Sequence, residues 1–291
     1  MTYSIVARDA DTGELGVAVQ SHWFSVGSAV PWAAPGVGAI ATQANIEVAY
    51  GPRALALLER GATASEALAA VIAADPAAAS RQVAVIDAHG RAAAHTGQEC
   101  IADAGHVTSS GVSCQANMMA ADTVWDAMLA AFTGAAGRLV DRLLVALDAA
   151  ETAGGDIRGR QSAAILIVPP TGERWDATVS LRVEDHPEPL RELRRLLVLQ
   201  DAYALADEAD ELVGRRRYDE ASALYERASA LAPDNHELLF WSGLGAAQAG
   251  KIDEGVARVR RAIELQPGWG QLLSRLTAVV APAAALVRER L

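Results

Sequence analysis

Apolar and polar positions alternate through the first part of the chain and take up helical spacing in the last third. Ser4-Ile5-Val6-Ala7 leads into a turn-rich cluster, Asp9 to Glu14, and Leu15-Gly16-Val17-Ala18-Val19 returns as a partner strand. Val26 to Gln43 carries no charge and approaches the length of a membrane span. Pro31, Pro35, Gly27, Gly36 and Gly38 interrupt it, so two buried strands around a Pro-Gly turn are expected instead. Helical spacing begins near Pro52 with Leu55 and Leu58. It resumes after Gly61 with Ala67, Leu68, Val71 and Ile72, with Thr63 or Ser65 as the cap and Asp75-Pro76 as the stop. Gln82 to Asp87 and Arg91 to Thr96 read as a hairpin turned at Ala88-His89-Gly90. His106 to Asn117 looks less regular. Two amphipathic helices follow, Thr123 to Phe132 and Arg138 to Ala150. Gly154-Gly155-Asp156 breaks the pattern before strands at Ser162 to Val168 and Thr178 to Val183.

The order is strands, two helices, strands, two helices, strands. It suits an α+β fold of two stacked sheets between helical layers, an αββα sandwich, although a two-layer α+β fold would read almost the same. After His186-Pro187-Glu188-Pro189 the strand signal stops. Pro233 and Pro267, Leu231 and Leu265, Ala228 and Ala262, and Asp219 and Asp253 each repeat after 34 residues. That period, with Ala221 and Tyr225 matched by Gly255 and Val259 and with Gly243 for close approach, is tetratricopeptide-like (TPR-like). Leu272 to Leu291 is expected to form one helix capping the array. The predicted division is an α+β domain over 1–185, a connecting helix over 186–200 and helical repeats over 201–291. Two repeats are few to stand alone, so they are expected to dock on the first domain or on another subunit, which makes a homo-oligomer or a protein partner the expectation.

Composition narrows the function classes. A formal net charge of −11 disfavours a broad nucleic-acid or anionic-lipid footprint. Cys100 and Cys114 are the only cysteines, too few for a disulfide scaffold or a structural zinc site, so neither metal nor cofactor is expected. The N-terminus lacks the basic and apolar regions of a signal peptide, which predicts the cytoplasm. Gly36-Val37-Gly38 lacks the third glycine and following helix of a phosphate loop. Arg215-Arg216-Arg217 reads as a solvated helix end.

Several segments run in an order that resembles the DUF1028 family. They include the opening Thr-Tyr-Ser-Ile-Val-Ala, Gly16 to Val19, Val30 to Ala33, Gly36 to Gln43, Tyr50-Gly51-Pro52, Arg81-Gln82, Thr96-Gly97, Gly105-His106, Gly154 to Ala163, and Asp185-His186-Pro187 with Leu190 to Leu197. The resemblance covers about two-thirds of the chain. The family is similar to the Ntn hydrolases, which implies the αββα sandwich and an amide-bond hydrolase acting on a small molecule or short peptide. In that chemistry the first mature residue supplies the nucleophile and its own α-amine, with an unperturbed pKa near ~8, the base. Removal of Met1 would expose Thr2 as that nucleophile, with Ser4 as the alternative. Asn117 is the candidate oxyanion donor. Asp156, Arg158 and Arg160 are candidates to orient the amine or hold a substrate carboxylate, with Arg53 a weaker one. His22 is a candidate substrate contact, although His22 and His106 both also read as structural hydrogen-bonders. The superfamily's lysine beside the nucleophile has no counterpart, since Lys251 is the only lysine. The competing expectation is a non-catalytic scaffold whose helical repeats grip a partner.

Overall fold

The computed structural model describes residues 2–291, and they divide into two compact units, the first ending at Leu193 and the second running from Arg194 to Leu291. In the first unit, alternation of inward and outward side chains builds two antiparallel sheets. One contains β1 (Thr2–Arg8), β2 (Leu15–Ser21), β7 (Gly105–Ser109), β8 (Val112–Asn117), β9 (Ser162–Val168) and β10 (Val179–Val183), in the order β10-β9-β2-β1-β8-β7. The other contains β3 (Pro31–Ala34), β4 (Gly38–Ala44), β5 (Arg81–Asp87) and β6 (Ala92–Thr96), in that order. The two sheets face each other. Helices α1 (Tyr50–Glu59) and α2 (Ala64–Ala73) pack on the outer face of the four-stranded sheet, and α3 (Val124–Gly134) and α4 (Leu139–Thr152) on that of the six-stranded one. Both faces of the central strands are therefore covered, and β1, β2 and β8 are almost wholly buried.

Between the sheets, one end of the shared space is apolar: Val6, Leu15, Val17, Ala39, Ala41, Ala84 and Ile86 form a single cluster. The stretch from His106 to Asn117, expected to be irregular, is the β7–β8 hairpin. Its pattern misleads because β8 turns a polar row, Ser113, Gln115 and Asn117, toward the interior, while the edge strand β7 is short and largely polar. Thr63 caps α2: its hydroxyl accepts from Glu66 N at 3.2 Å while Glu66 Oε2 accepts from Thr63 N at 2.8 Å.

The second unit is helical. Helix α5 (Pro189–Gly214) spans both the predicted connecting segment and the start of the predicted repeats. Then follow α6 (Tyr218–Leu231), α7 (His236–Gln248), α8 (Ile252–Leu265), α9 (Gly268–Arg275) and α10 (Ala284–Arg288). Helices α7 and α8 approach through bare backbone, since a Cβ on Gly243 would lie 2.8 Å from Gly255 O and one on Gly255 would lie 2.5 Å from Gly243 O. Phe240 stacks on Trp269 with centroids 4.7 Å apart, and Trp269 donates to His236 Nδ1 at 2.8 Å. The single helix expected over Leu272–Leu291 is interrupted. Helix α9 ends at Arg275, and a non-helical stretch containing the β-branched pair Val279-Val280 and Pro282 precedes α10. Among the described residues, no helix is long and apolar enough to cross a membrane.

Candidate active site

Thr2 opens β1, an interior strand of the six-stranded sheet, with β2 on one side and β8 on the other. It points into the space between the sheets, on the row shared with Ser4 and Val6, and is 2% exposed. Its Oγ1 donates to Ser21 Oγ at 3.1 Å. Its carbonyl accepts from Gln43 Nε2 at 3.2 Å and from Asn117 Nδ2 at 3.4 Å. Asn117 is also its cross-strand partner in the ladder.

These contacts belong to a buried polar network that crosses between the sheets. Gln43 Nε2 donates to Gln82 Oε1 at 2.7 Å, and Asn117 Nδ2 reaches the same oxygen at 2.8 Å. Ser4 Oγ donates to Gln43 Oε1 and accepts from Gln115 Nε2, both at 2.6 Å. Ser113 Oγ donates to Gln115 Oε1 at 2.9 Å. Gln82 Nε2 reaches Ala116 O at 2.8 Å and Thr96 Oγ1 at 2.9 Å, and Thr96 Oγ1 in turn meets His106 Nδ1 at 2.8 Å. A buried primary amide is costly unless its donors and acceptor are matched, and here the amides match one another. The chain of bonds runs from Thr2 to the wall of an open cleft of about 570 Å³ lined by Thr96, Cys100, Asp103, His106, Asp122 and Trp125. Burial, with His95 nearby, holds the His106 imidazole below its usual pKa.

A second cluster stands beside the first, joined to it through β2. Ser21 ends that strand and His22 follows. Gly154 and Gly155, at φ 123° and 61°, make the turn that delivers Asp156. The Asp156 side chain is fully buried. It accepts from His22 N and Arg158 N, each at 3.0 Å, and pairs with the Arg158 guanidinium at 3.0 Å. Arg160 is bound to Glu151 on α4 and to Glu188 at 3.1 Å, and its carbonyl lies 3.3 Å from His22 Nδ1. Tyr3, on the opposite face of β1 from Thr2, donates to Glu151 at 2.5 Å. Burial, then the Glu151 charge, pushes the Tyr3 phenol well above its usual pKa.

The structure thus brings Thr2 and Asn117 into one network and His22, Asp156, Arg158 and Arg160 into its neighbour. Arg53 stands apart, exposed on α1 and outside both groups. The guanidinium groups of Arg158 and Arg160, expected to hold a substrate carboxylate, are engaged by carboxylates of the protein itself. Sequence reasoning gave no role to Ser21, Gln43, Gln82 or Gln115. The available signal was a polar side chain on an inward strand position, which an interior tolerates only when it is paired. Cys114 is fully buried, and burial raises its thiol pKa, as it does for Cys100. Among the described residues, no group of three or more His, Cys, Asp or Glu is placed to hold a metal ion.

Two comparisons bear on this arrangement. The family model described as a family of unknown function, DUF1028, matches residues 2–193. The crystal structure of protein SPO2555 from Silicibacter pomeroyi, assigned to the same family model, is 34% identical, with a TM-score of 0.62. The likeness covers 67% of this chain and 87% of that one. No curated protein matches.

Proposed function

The chain belongs to the DUF1028 family, and from that premise we propose that its first unit is an amide hydrolase of the Ntn type with Thr2 as nucleophile. One observation carries the reading: Thr2 sits at the start of an interior strand and faces the space between two sheets, its hydroxyl held by Ser21 and its carbonyl by Gln43 and Asn117. The layering of helix pair, sheet, sheet and helix pair supports the αββα assignment. Met1, whose removal the reading requires, lies outside the described residues.

With Met1 removed, the Thr2 α-amine accepts the hydroxyl proton as Oγ1 attacks the amide carbonyl carbon. The carbonyl π electrons move to oxygen, and Asn117 Nδ2 exchanges its 3.4 Å contact with Thr2 O, a long one, for the developing oxyanion. Collapse breaks the C–N bond, the ammonium proton passes to the leaving amine, and an ester on Thr2 remains. Water, deprotonated by the same amine, then releases a carboxylic acid and restores the hydroxyl. Ser21 directs the attacking oxygen. Asp156 acts on Ser21 through the backbone, because its carboxylate fixes the neighbouring His22 N–H. The helical hairpins of the second unit, read as TPR-like, are proposed to mediate contacts with a protein partner or with further copies of the chain.

Intact-mass measurement after treatment with a β-lactone acyl probe tests the proposal. The expected result is loss of Met1 and one adduct that peptide mapping places on Thr2, kept by Thr2→Ser and lost by Thr2→Ala. Retained Met1 with no adduct would overturn it in favour of the non-catalytic scaffold.

A further inference from the structure

Large apolar side chains stand exposed around the strand ends that carry the candidate site. Trp23 is 57% exposed, Phe24 65%, Ile101 61% and Ile157 65%. Scattered exposed hydrophobics are ordinary, but these four are linked by the backbone around one point. Trp23 and Phe24 follow Ser21 and His22 in the bend and turn beyond the end of β2. The His22 N–H is bonded to Asp156, which Ile157 follows. Ile157 N donates to Met118 O at 3.4 Å, and Met118 N donates to Ile101 O at 3.0 Å. Met118 itself succeeds Asn117 and is held in the left-handed region at φ 58°. That conformation costs a β-carbon-bearing residue about 1 kcal/mol and is sustained here by those two bonds.

The two arginines in this neighbourhood are engaged elsewhere. Arg158 is paired with Asp156, and Arg160 with Glu151 and Glu188. An anionic substrate would have to displace a protein carboxylate, whereas an apolar group would cover surface already in place.

Resting on Thr2 as the nucleophile, we infer that the substrate is an amide with a bulky aliphatic or aromatic acyl group, seated on Trp23, Phe24, Ile101 and Ile157. These side chains set specificity by removing that group from water, at roughly 25 cal/mol for each Å² covered. The patch borders the ends of the strands bearing Ser21 and Asn117, beside the start of β1, so an acyl group resting on it has its carbonyl toward Thr2. Adjacency to Thr2, Ser21 and Asn117 favours the substrate over a second copy of the chain as the occupant.

The test uses full-length Thr2→Ala protein, which binds without turnover, titrated calorimetrically with octanoyl-glycinamide and acetyl-glycinamide. The octanoyl compound is expected to bind at least about tenfold more tightly. Trp23→Ser combined with Ile157→Asn is expected to erase that preference while leaving hydrogen exchange in the strands unchanged. Equal binding of the two amides, or a preference that survives the double substitution, would overturn the assignment. So would a dimer in sedimentation that the double substitution dissolves, since the patch would then be a subunit contact. A preserved octanoyl preference with no acyl adduct on Thr2 would support the subsite while sinking the nucleophile, so the two failures are distinguishable.

Discussion

The space between the two sheets has two ends built on the same strands, and they are filled with opposite chemistry. Toward one end β1 presents Val6, β4 presents Ala39 and Ala41, and β5 presents Ala84 and Ile86. Toward the other, the same strands present Thr2 and Ser4, Gln43, and Gln82, and β8 adds Gln115 and Asn117. All are buried. The apolar end needs only volume, because any well-fitted hydrocarbon serves. The amide end needs each donor to find its acceptor, and one misplaced group leaves others unpaired. A fold seeking stability alone would have continued the hydrocarbon, so the switch marks where the molecule spends stability on geometry.

The contrast can be broken or sharpened by substitution. The largest effect is expected from Gln82→Leu, which removes the acceptor of Gln43 and Asn117 and the donor to Thr96 and Ala116. A loss of roughly 4 kcal/mol should appear as faster hydrogen exchange across β4, β5 and β8; a loss below about 1 kcal/mol would show that the amides are not mutually dependent. Ile86→Ala at the apolar end should cost about 3 kcal/mol by the same measurement, confined to cavity formation and leaving any Thr2 labelling intact. Asp87→Asn, at the far end of β5, should cost about 2 kcal/mol at pH 7. Burial pushes the Asp87 carboxyl up, but the Arg91 side chain and the Arg91, Ala64 and His89 N–H groups outweigh it and hold its pKa below the usual carboxylate value. Its contribution is therefore complete above the usual carboxylate range and lost as pH falls through the lowered value. The variant's urea midpoint should lack that acid limb; an unchanged pH profile would exclude Asp87 as its source. Thr63→Ala, outside both ends, should cost about 1 kcal/mol and loosen α2 alone, read from exchange in that helix.

Much of this fold was legible in the chain. Alternation located the strands from Ser4 to Val19 and from Gln82 to Thr96, because side chains of period two that face a core must be apolar on that row. The same rule misread His106 to Asn117, where the inward row is amide and hydroxyl and the pattern looks like loop. Thr2 and Asn117 were singled out separately, and the ladder makes them partners. Ser21, Gln43 and Gln82 were given no role in the site because a polar residue at a strand end is ordinarily a solvated one. Only the opposing sheet makes it interior. For Arg160 the deciding partners, Glu151 on α4 and Glu188 before α5, are remote in a way that local spacing does not encode. The break between α9 and α10 was readable, since Pro282 stood within the segment assigned to one helix.

The contact between α7 and α8 has a practical consequence for anyone seeking a more heat-resistant version of this protein. Exchanging glycine for alanine inside helices is a routine stabilising step, gaining roughly 1 kcal/mol where the site is roomy. Gly134 and Gly268 have no neighbouring atom within 4 Å of an added methyl group and are open to it. At Gly243 and Gly255 the added carbon would meet a carbonyl oxygen of the facing helix, and the same exchange would pry the hairpin apart.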